Sequence, residues 1–195
     1  MKLKICLMGL LCLYFSAKAQ TNIGTSPIKI GNKMPDVTLT NVLNYAKKSI
    51  RLSDYKGKLI LVDFWDTHCG NCIAAIPGLD SLQKKFSNKI QIILVDPLGS
   101  ERERDVKLFL SREKQWSGIT LKLPVVFQDT SISKYVTFQT TPTCAWIGPD
   151  GRLVAVTDDD PVTPENIERV MHGESIILQP KPTRTKNSKP KALIK

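Results

Sequence analysis

The residues best suited to chemistry in this chain are two cysteines three positions apart, Cys69 and Cys72. A cysteine in the first turn of a helix meets unpaired N–H groups and the positive end of the helix dipole, which favour the thiolate. Cys69 is predicted to lie there with an accessible sulfur and to attack. Cys72, nearly one turn later, is predicted to face inward and to resolve the mixed disulfide. The spacing indicates redox exchange, with metal binding as the other chemistry that it allows.

An acidic residue, Asp63, lies six positions before Cys69 in an otherwise apolar run. A carboxylate in a buried strand is costly unless something compensates for its lost hydration. We predict that Asp63 lies beneath the two cysteines and takes the proton of Cys72 when that thiol attacks. The alternative is an Asp63 side chain that points out of the sheet to solvent.

The first 19 residues have the layout of a secretory signal peptide. Two lysines precede an apolar run over residues 5–15, and residues 17–19 fit a small-x-small cleavage site, so cleavage after Ala19 is predicted. An uncleaved anchor is the alternative. Export implies the periplasm or another extracytoplasmic part of the cell envelope, where a free dithiol needs an outside source of electrons.

Removal of the signal peptide leaves three of the five cysteines, too few and too unevenly spaced for a disulfide scaffold. The third, Cys144, falls in an apolar strand and is predicted to be a buried, inert thiol. The three-residue spacing of the other two therefore remains the main chemical signal.

The net charge of +10 is concentrated at the two ends of the chain. Residues 20–173 hold 19 basic and 17 acidic residues, which does not support a basic groove for nucleic acid. Residues 20–33 are predicted to be a flexible lead-in, residues 34–173 one domain, and residues 174–195 a basic, Pro/Lys-rich disordered tail. Contact of this tail with an anionic membrane surface is an alternative to solvated disorder.

The apolar pattern predicts alternating strands and helices. Two short strands, "PDVTLTNV" and "KKSIRL", precede a central strand at "LILVDFW" and a helix after Cys69 that Pro77 should kink. The strand "KIQIILVD" precedes a helix for which Ser100 and Glu103 suggest a capping box. A mixed sheet with helices on both faces is therefore expected.

The second half of the domain is predicted to add a short strand at "LPVVF", a helical turn within residues 130–138, and a hairpin of "TCAWI" and "RLVAVT". Thr163 as N-cap, Pro164 at the first helical position and Gly173 after the last turn frame a closing helix.

The segment "VDFWDTHCGNC" resembles the active-site segment of thioredoxins. Pro77 matches the helix-kinking proline of that fold, and "TTPTC" resembles the loop that carries its cis-proline, here Pro142. The strand pair before the core, an inserted helix before the cis-proline and the signal peptide are similar to the TlpA/ResA-like exported thiol–disulfide oxidoreductases. The match covers roughly residues 30–172.

This resemblance implies an α/β thioredoxin-like fold and an exported enzyme that reduces protein disulfides. The implied partners are disulfide-containing exported proteins and an upstream electron donor, and we expect a monomer that binds no metal and no cofactor beyond its own cysteine pair. The implied catalytic residues are Cys69, Cys72, Asp63 and Pro142, and the implied substrate contacts are Trp65, His68, Gly70, Asn71 and Thr141.

Two departures from the family pattern surround the cysteines. His68 stands where the family usually has an aromatic residue, and Gly70-Asn71 replaces the usual glycine-proline. We interpret His68 as a solvent-facing contact residue rather than a base. The features that stabilise a thiolate are modest, so we predict a reductant rather than a strong oxidant.

Three other functions fit the sequence less well than disulfide reduction. A copper-handling module that binds Cu(I) through Cys69, Cys72 and His68 is the main alternative, because soft thiolates suit that ion. A binding domain with a vestigial dithiol is disfavoured by the intact Asp63 and Pro142. A peroxidase is not supported, because the proline and threonine pattern expected ahead of its cysteine is missing.

Overall fold

A six-stranded mixed sheet lies at the centre of the protein. A computed structural model of the chain describes residues 26–118, 120–158 and 162–178. The predicted signal peptide, part of the lead-in and most of the basic tail lie outside the described residues.

The strands of this sheet lie in the order β2-β6-β5-β4-β7-β8. The central β4 is parallel to β5 and antiparallel to β7, and β5 is parallel to β6. Strands β1 and β3 form a separate antiparallel pair. The strand bounds are β1 Thr38–Leu39, β2 Val42–Leu43, β3 Ile50–Arg51, β4 Leu59–Phe64, β5 Ile90–Val95, β6 Val125–Val126, β7 Thr143–Ile147 and β8 Leu153–Asp158.

Apolar residues on the two faces of the sheet form two cores. Leu61 and Trp65 belong to the core that includes apolar residues of all three α-helices, whereas Val62 and Phe64 belong to the core covered by β1, β3 and two 3₁₀ helices. The thioredoxin-like fold with a mixed sheet is confirmed, but all three α-helices that the structure describes pack on one face and only the two 3₁₀ helices lie on the other. The helices are α1 Gly70–Lys85, α2 Glu103–Ser117, α3 Pro164–Met171 and the 3₁₀ helices Leu52–Tyr55 and Ser133–Tyr135.

The caps of α3 are as predicted, whereas the start of α2 differs. The Thr163 hydroxyl accepts a hydrogen bond from the N–H of Asn166 at 3.2 Å. Helix α2 begins at Glu103 with Arg102 at the N-cap position, so the predicted Ser100–Glu103 capping box is wrong. The physical reason is Asp96, whose carboxylate accepts the Glu101 N–H at 2.7 Å and holds this loop outside the helix.

The N-terminal strand pair is only partly as predicted. Strands β1 and β3 pair with each other, but Val42–Leu43 leaves them and pairs with β6 at the end of the main sheet. Asn44, directly after β2, has a positive φ of 54° and donates from its amide to the Leu121 carbonyl at 3.2 Å. This hydrogen bond fastens the end of β2 to the segment that precedes β6.

The first half of β5 has a side chain where a neighbouring strand would lie. The short β6 pairs only with Leu94 and Val95, which leaves Ile90 to Ile92 without a strand partner on that side. Gln83 of α1 accepts the Ile92 N–H at 2.7 Å and donates to the Ile90 carbonyl at 3.3 Å. One amide thus reproduces a pair of backbone hydrogen bonds.

A buried carboxylate, Asp129, joins the turn between β1 and β2 to the segment after β6. It accepts hydrogen bonds from the Thr40 hydroxyl at 2.6 Å and the Ser131 N–H at 2.8 Å. Burial opposes its ionisation, but the hydrogen bonds from Ser131 and Thr40 outweigh burial and hold the pKa of Asp129 below its usual range.

We expect Asp129→Asn to lower the free energy of unfolding at pH 7 by about 1–3 kcal/mol, the usual value for hydrogen bonds to a charged group. A depressed carboxyl pKa stabilises the fold above the unfolded pKa of about 3.9 and stops doing so as pH falls through the folded pKa. The difference between the two proteins should therefore shrink between pH 5 and pH 3. Urea unfolding at pH 5 and pH 3 measures the free energy of unfolding of both proteins, with the exposed Glu168→Gln as control. A difference between variant and parent that is the same at both pH values would contradict this account.

Candidate active site

Cys69 and Cys72 form a disulfide at the start of α1, with their Cα atoms 5.3 Å apart. Cys69 is the N-cap residue, and the N–H of Cys72 donates to its sulfur at 3.2 Å. Cys69 is partly exposed, whereas Cys72 is fully buried. Only the first sulfur is thus accessible to another protein, and it already receives an N–H of the first helical turn.

The turn between β4 and α1 fixes the position of Cys69. The carboxylate of Asp66 accepts the His68 N–H at 2.8 Å, and the Asp66 carbonyl accepts the Cys69 N–H at 3.2 Å. Such a side-chain bond to the backbone two residues later is typical of aspartate in turns. The sequence Asp66 to Cys69 therefore ends the strand and presents the sulfur at the helix start.

Asp63 lies within β4 and is 6% exposed. Side chains alternate along a strand, so Asp63 points to the same side as Leu61 and Trp65, which share a core with Cys72. Its cross-strand neighbour on β7 is Cys144. The alternative of a solvent-facing Asp63 is therefore wrong, while its role as a proton acceptor stays a prediction.

Trp65 was expected to contact substrate, and its position corrects this expectation. Its side chain is fully buried, and its ring lies 5.0 Å from that of Phe109. The cause is the strand alternation, which turns Trp65 into the core, together with α2, which covers it. Trp65 supports the active-site turn from beneath and offers no contact surface.

The other predicted contact residues lie at the surface around the disulfide. His68, Gly70 and Asn71 are exposed, with 91% of the His68 side chain accessible. Thr141 is partly exposed and precedes Pro142 through a cis peptide bond, as predicted. The Thr141 hydroxyl donates to Asp66 at 3.0 Å, which brings this loop against the turn that carries Cys69.

The sequence model of the AhpC/TSA family matches residues 30–156. The chain belongs to this family. The thiol–disulfide oxidoreductase ResA of Bacillus cereus is 33% identical over 129 residues, which cover 65% of this chain and 68% of that protein.

Two further proteins are similar to this chain, one in sequence and one in fold. The thioredoxin-like protein YneN of Bacillus subtilis is 30% identical over 111 residues, covering 56% of this chain and 64% of YneN. The thioredoxin domain of a thiol-disulfide oxidoreductase from Bacteroides vulgatus superposes with a TM-score of 0.57 at 23% identity, over 73% of this chain and 98% of that domain. The structural match shows a shared fold, and the sequence matches confirm the resemblance to ResA.

One residue of this AhpC/TSA site, Glu101, was missed in the sequence. It is 5% exposed and accepts hydrogen bonds from the N–H and hydroxyl of Thr67 at 2.8 and 2.9 Å. Its carboxylate also lies 3.9 Å from the His68 ring. The parallel strands β4 and β5 end at the same edge of the sheet, so an acid shortly after β5 was the available signal.

Asp66, His68 and Glu101 could each offer one ligand atom to a metal ion, and these atoms lie within 4.8 Å of one another. The two carboxylates already accept hydrogen bonds from Thr67, Thr141 and the loop backbone. These contacts suffice to explain the cluster as the framework of the active-site loop.

The third cysteine of this family member is buried, as predicted. Cys144 takes part in no disulfide and is 4% exposed, in the core beneath α1. Trp146, two residues later, is fully buried, and its ring N–H donates to the Thr157 hydroxyl at 3.0 Å. The core around the disulfide is therefore apolar apart from Asp63 and a few hydrogen-bonded groups.

Proposed function

We propose that this protein is an extracytoplasmic reductant of protein disulfides, acting through Cys69 and Cys72. The chain is a thiol–disulfide oxidoreductase, and the observation that carries this conclusion is the disulfide at the start of α1, with one accessible and one buried sulfur. Similarity to ResA supports the same chemistry.

The reaction is a two-electron exchange of disulfides. The Cys69 thiolate attacks one sulfur of the substrate disulfide, whose other sulfur leaves as a thiolate. Cys72 then passes its proton to Asp63 and attacks the Cys69 sulfur, which releases the second substrate thiol. The substrate gains two electrons, the Cys69–Cys72 disulfide forms, and a dithiol donor must reduce it again.

The helix start supports the first step of this exchange. In the disulfide form the Cys72 N–H donates to the Cys69 sulfur at 3.2 Å. The same donor and the positive end of the α1 dipole favour negative charge on that sulfur after reduction. Cys69 is therefore the sulfur suited to attack the substrate disulfide.

The extracytoplasmic location rests on the signal-peptide pattern of residues 1–19. Within the described part of the chain, no helix combines the length and apolar character needed to cross a membrane. An oxidising compartment would make the electron donor essential, because the disulfide form accumulates there without one.

The direction of electron flow is tested by equilibrating the protein with glutathione redox buffers. We expect a reduction potential below about −150 mV, nearer the thioredoxin value of about −270 mV than that of the oxidant DsbA at about −120 mV. The physical reason is that one helix start is the main stabiliser of the Cys69 thiolate, and the nearby acid Asp63 opposes additional negative charge.

The same preparation should reduce insulin with turnover when a dithiol donor is present. Copper measured in it after purification tests the Cu(I)-handling alternative, which stays a prediction. A potential above about −150 mV would reverse the proposed direction, and stoichiometric copper without insulin turnover would favour the copper function.

A further inference from the structure

A cleft of about 1080 Å³ opens beside the disulfide, between α2 and the loop of the cis-proline. His68, which precedes Cys69, lines one end together with Ile73, whose N–H bonds the Cys69 carbonyl at 3.0 Å. Phe138 to Thr141 line one side, and the loop after β5 with α2 lines the other. Whatever occupies the cleft therefore contacts residues that flank Cys69 on both sides along the chain.

The cleft carries an excess of negative charge. Its lining includes five carboxylates and only two guanidinium groups, those of Arg102 and Arg112. Asp105 is paired with Arg102 at 3.1 Å and with Arg104 at 3.4 Å, which leaves the other four carboxylates against Arg112. A concave surface focuses the field of its charges, so the cleft should attract cations although the whole chain is basic. The carboxylates are Asp66, Asp96, Glu101, Asp105 and Glu113.

Apolar side chains accompany these charges. Leu98 is 73% exposed and Leu108 is 46% exposed, and both line the cleft. Ile73 and Phe138 add partly buried apolar surface next to them. Exposed apolar groups rimmed by polar ones are typical of surfaces that bind another protein.

The size of the cleft restricts its occupant. Its volume of about 1080 Å³ lies at the upper end of the roughly 300–1,000 Å³ of ordinary small-molecule sites, and the cleft is open to solvent. A folded domain cannot enter it, whereas an extended chain segment can place successive side chains along it. The position next to Cys69 requires that this segment be the one that carries the reacting cysteine.

We propose that this cleft binds the extended segment of a substrate protein around its disulfide, and that it selects segments with a large apolar side chain and a lysine or arginine close to the cysteine. This inference rests on the proposed function. Leu98 and Leu108 contact the apolar side chain, and the acids of the cleft attract the basic one. The protein therefore acts on locally unfolded, basic stretches of its substrates.

Three matched peptides test the selection, each carrying one cysteine in a disulfide with a small neutral thiol. The first has leucine and lysine beside the cysteine, the second leucine and glutamate, the third serine and lysine. We expect kcat/KM for the first to exceed each of the others about tenfold, the range of one buried leucine or one favourable charge contact. The ratio of kcat/KM for the lysine peptide to that for the glutamate peptide should fall as the salt concentration rises from about 20 mM to 500 mM.

Two cleft variants and two controls locate the effect. Leu98→Ser should reduce the preference for leucine over serine about threefold, because Leu108 remains, and Glu113→Gln should reduce the preference for lysine over glutamate about threefold. The controls are Ile30→Ser, exposed by 63% and outside the cleft, and Glu165→Gln on α3; both should retain the preferences.

Reduction of 2-hydroxyethyl disulfide separates this proposal from the proposed function. If all three peptides are reduced at equal rates and 2-hydroxyethyl disulfide is still reduced, the cleft does not select the substrate. The proposed reductase function would stand in that case. A chain that reduces neither the peptides nor the small disulfide would overturn the reductase function, and the selection with it. Thermal unfolding shows that each variant is folded.

Discussion

The Cys72→Ser variant should accumulate covalent adducts with its partner proteins, joined through Cys69. The Cys69 sulfur is accessible at the helix start, so the first attack is unchanged, but a serine hydroxyl cannot release the mixed disulfide. Turnover should fall to background. Cys69→Ser should lose turnover too but form no adducts, because the remaining sulfur of Cys72 is fully buried.

Non-reducing gels of both variants, purified from cells that contain the substrates, provide the measurement. For Cys72→Ser alone we expect adduct bands that disappear when dithiothreitol reduces the mixed disulfide. Cys144→Ser combined with Cys72→Ser is the matched control, because this buried thiol should contribute no adducts. Adducts on the Cys69→Ser variant would reverse the assignment of attacking and resolving residues.

The Asp63→Asn variant should fold normally and turn over about 10²-fold more slowly at pH 7, the usual effect of removing a positioned base. An amide fills the same space in β4 but cannot take the proton of Cys72. The thiol must then lose its proton to solvent, and an ordinary cysteine has a pKa of about 8.5. Turnover of the variant should therefore rise steeply between pH 6 and pH 9, while that of the parent protein rises less.

The step affected by Asp63→Asn is release of the mixed disulfide, which stopped-flow mixing with a substrate peptide separates from the first attack. Asp80→Asn is the matched control, since it removes another buried carboxylate of the protein. Asp80 lies on α1 and is paired with Lys84, whose side chain is largely exposed. Equal pH profiles for Asp63→Asn and the parent protein would show that this carboxylate takes no proton from Cys72.

The parts of the site that could be predicted from sequence depend on local order. The position of Cys69 at a helix start follows from a strand, a turn and an apolar stripe that are neighbours along the chain. The inward direction of Asp63 follows from alternation within one strand. Both are confirmed, because short-range rules decide them.

The parts that sequence reasoning missed depend on contacts between distant segments. Trp65 looked like a surface residue beside the cysteines, but α2, some 40 residues later, covers it through Phe109. Ser100 does not cap α2, because its hydroxyl and the N–H of Glu101 donate to Asp96 in the loop before the helix. Glu101 acts on Thr67 across 34 positions, a distance that no local pattern encodes.

The Gln83 side chain on the first half of β5 has a consequence for how the molecule meets other chains. Unpaired backbone groups along a strand are a template onto which a foreign strand can add, and such addition is a common start of aggregation. Gln83 occupies the N–H of Ile92 and the carbonyl of Ile90. A second chain could extend the sheet there only by displacing this amide. The unfolded, apolar segments that we propose as substrates therefore find no unpaired backbone groups at Ile90 and Ile92 to which they could add as a strand.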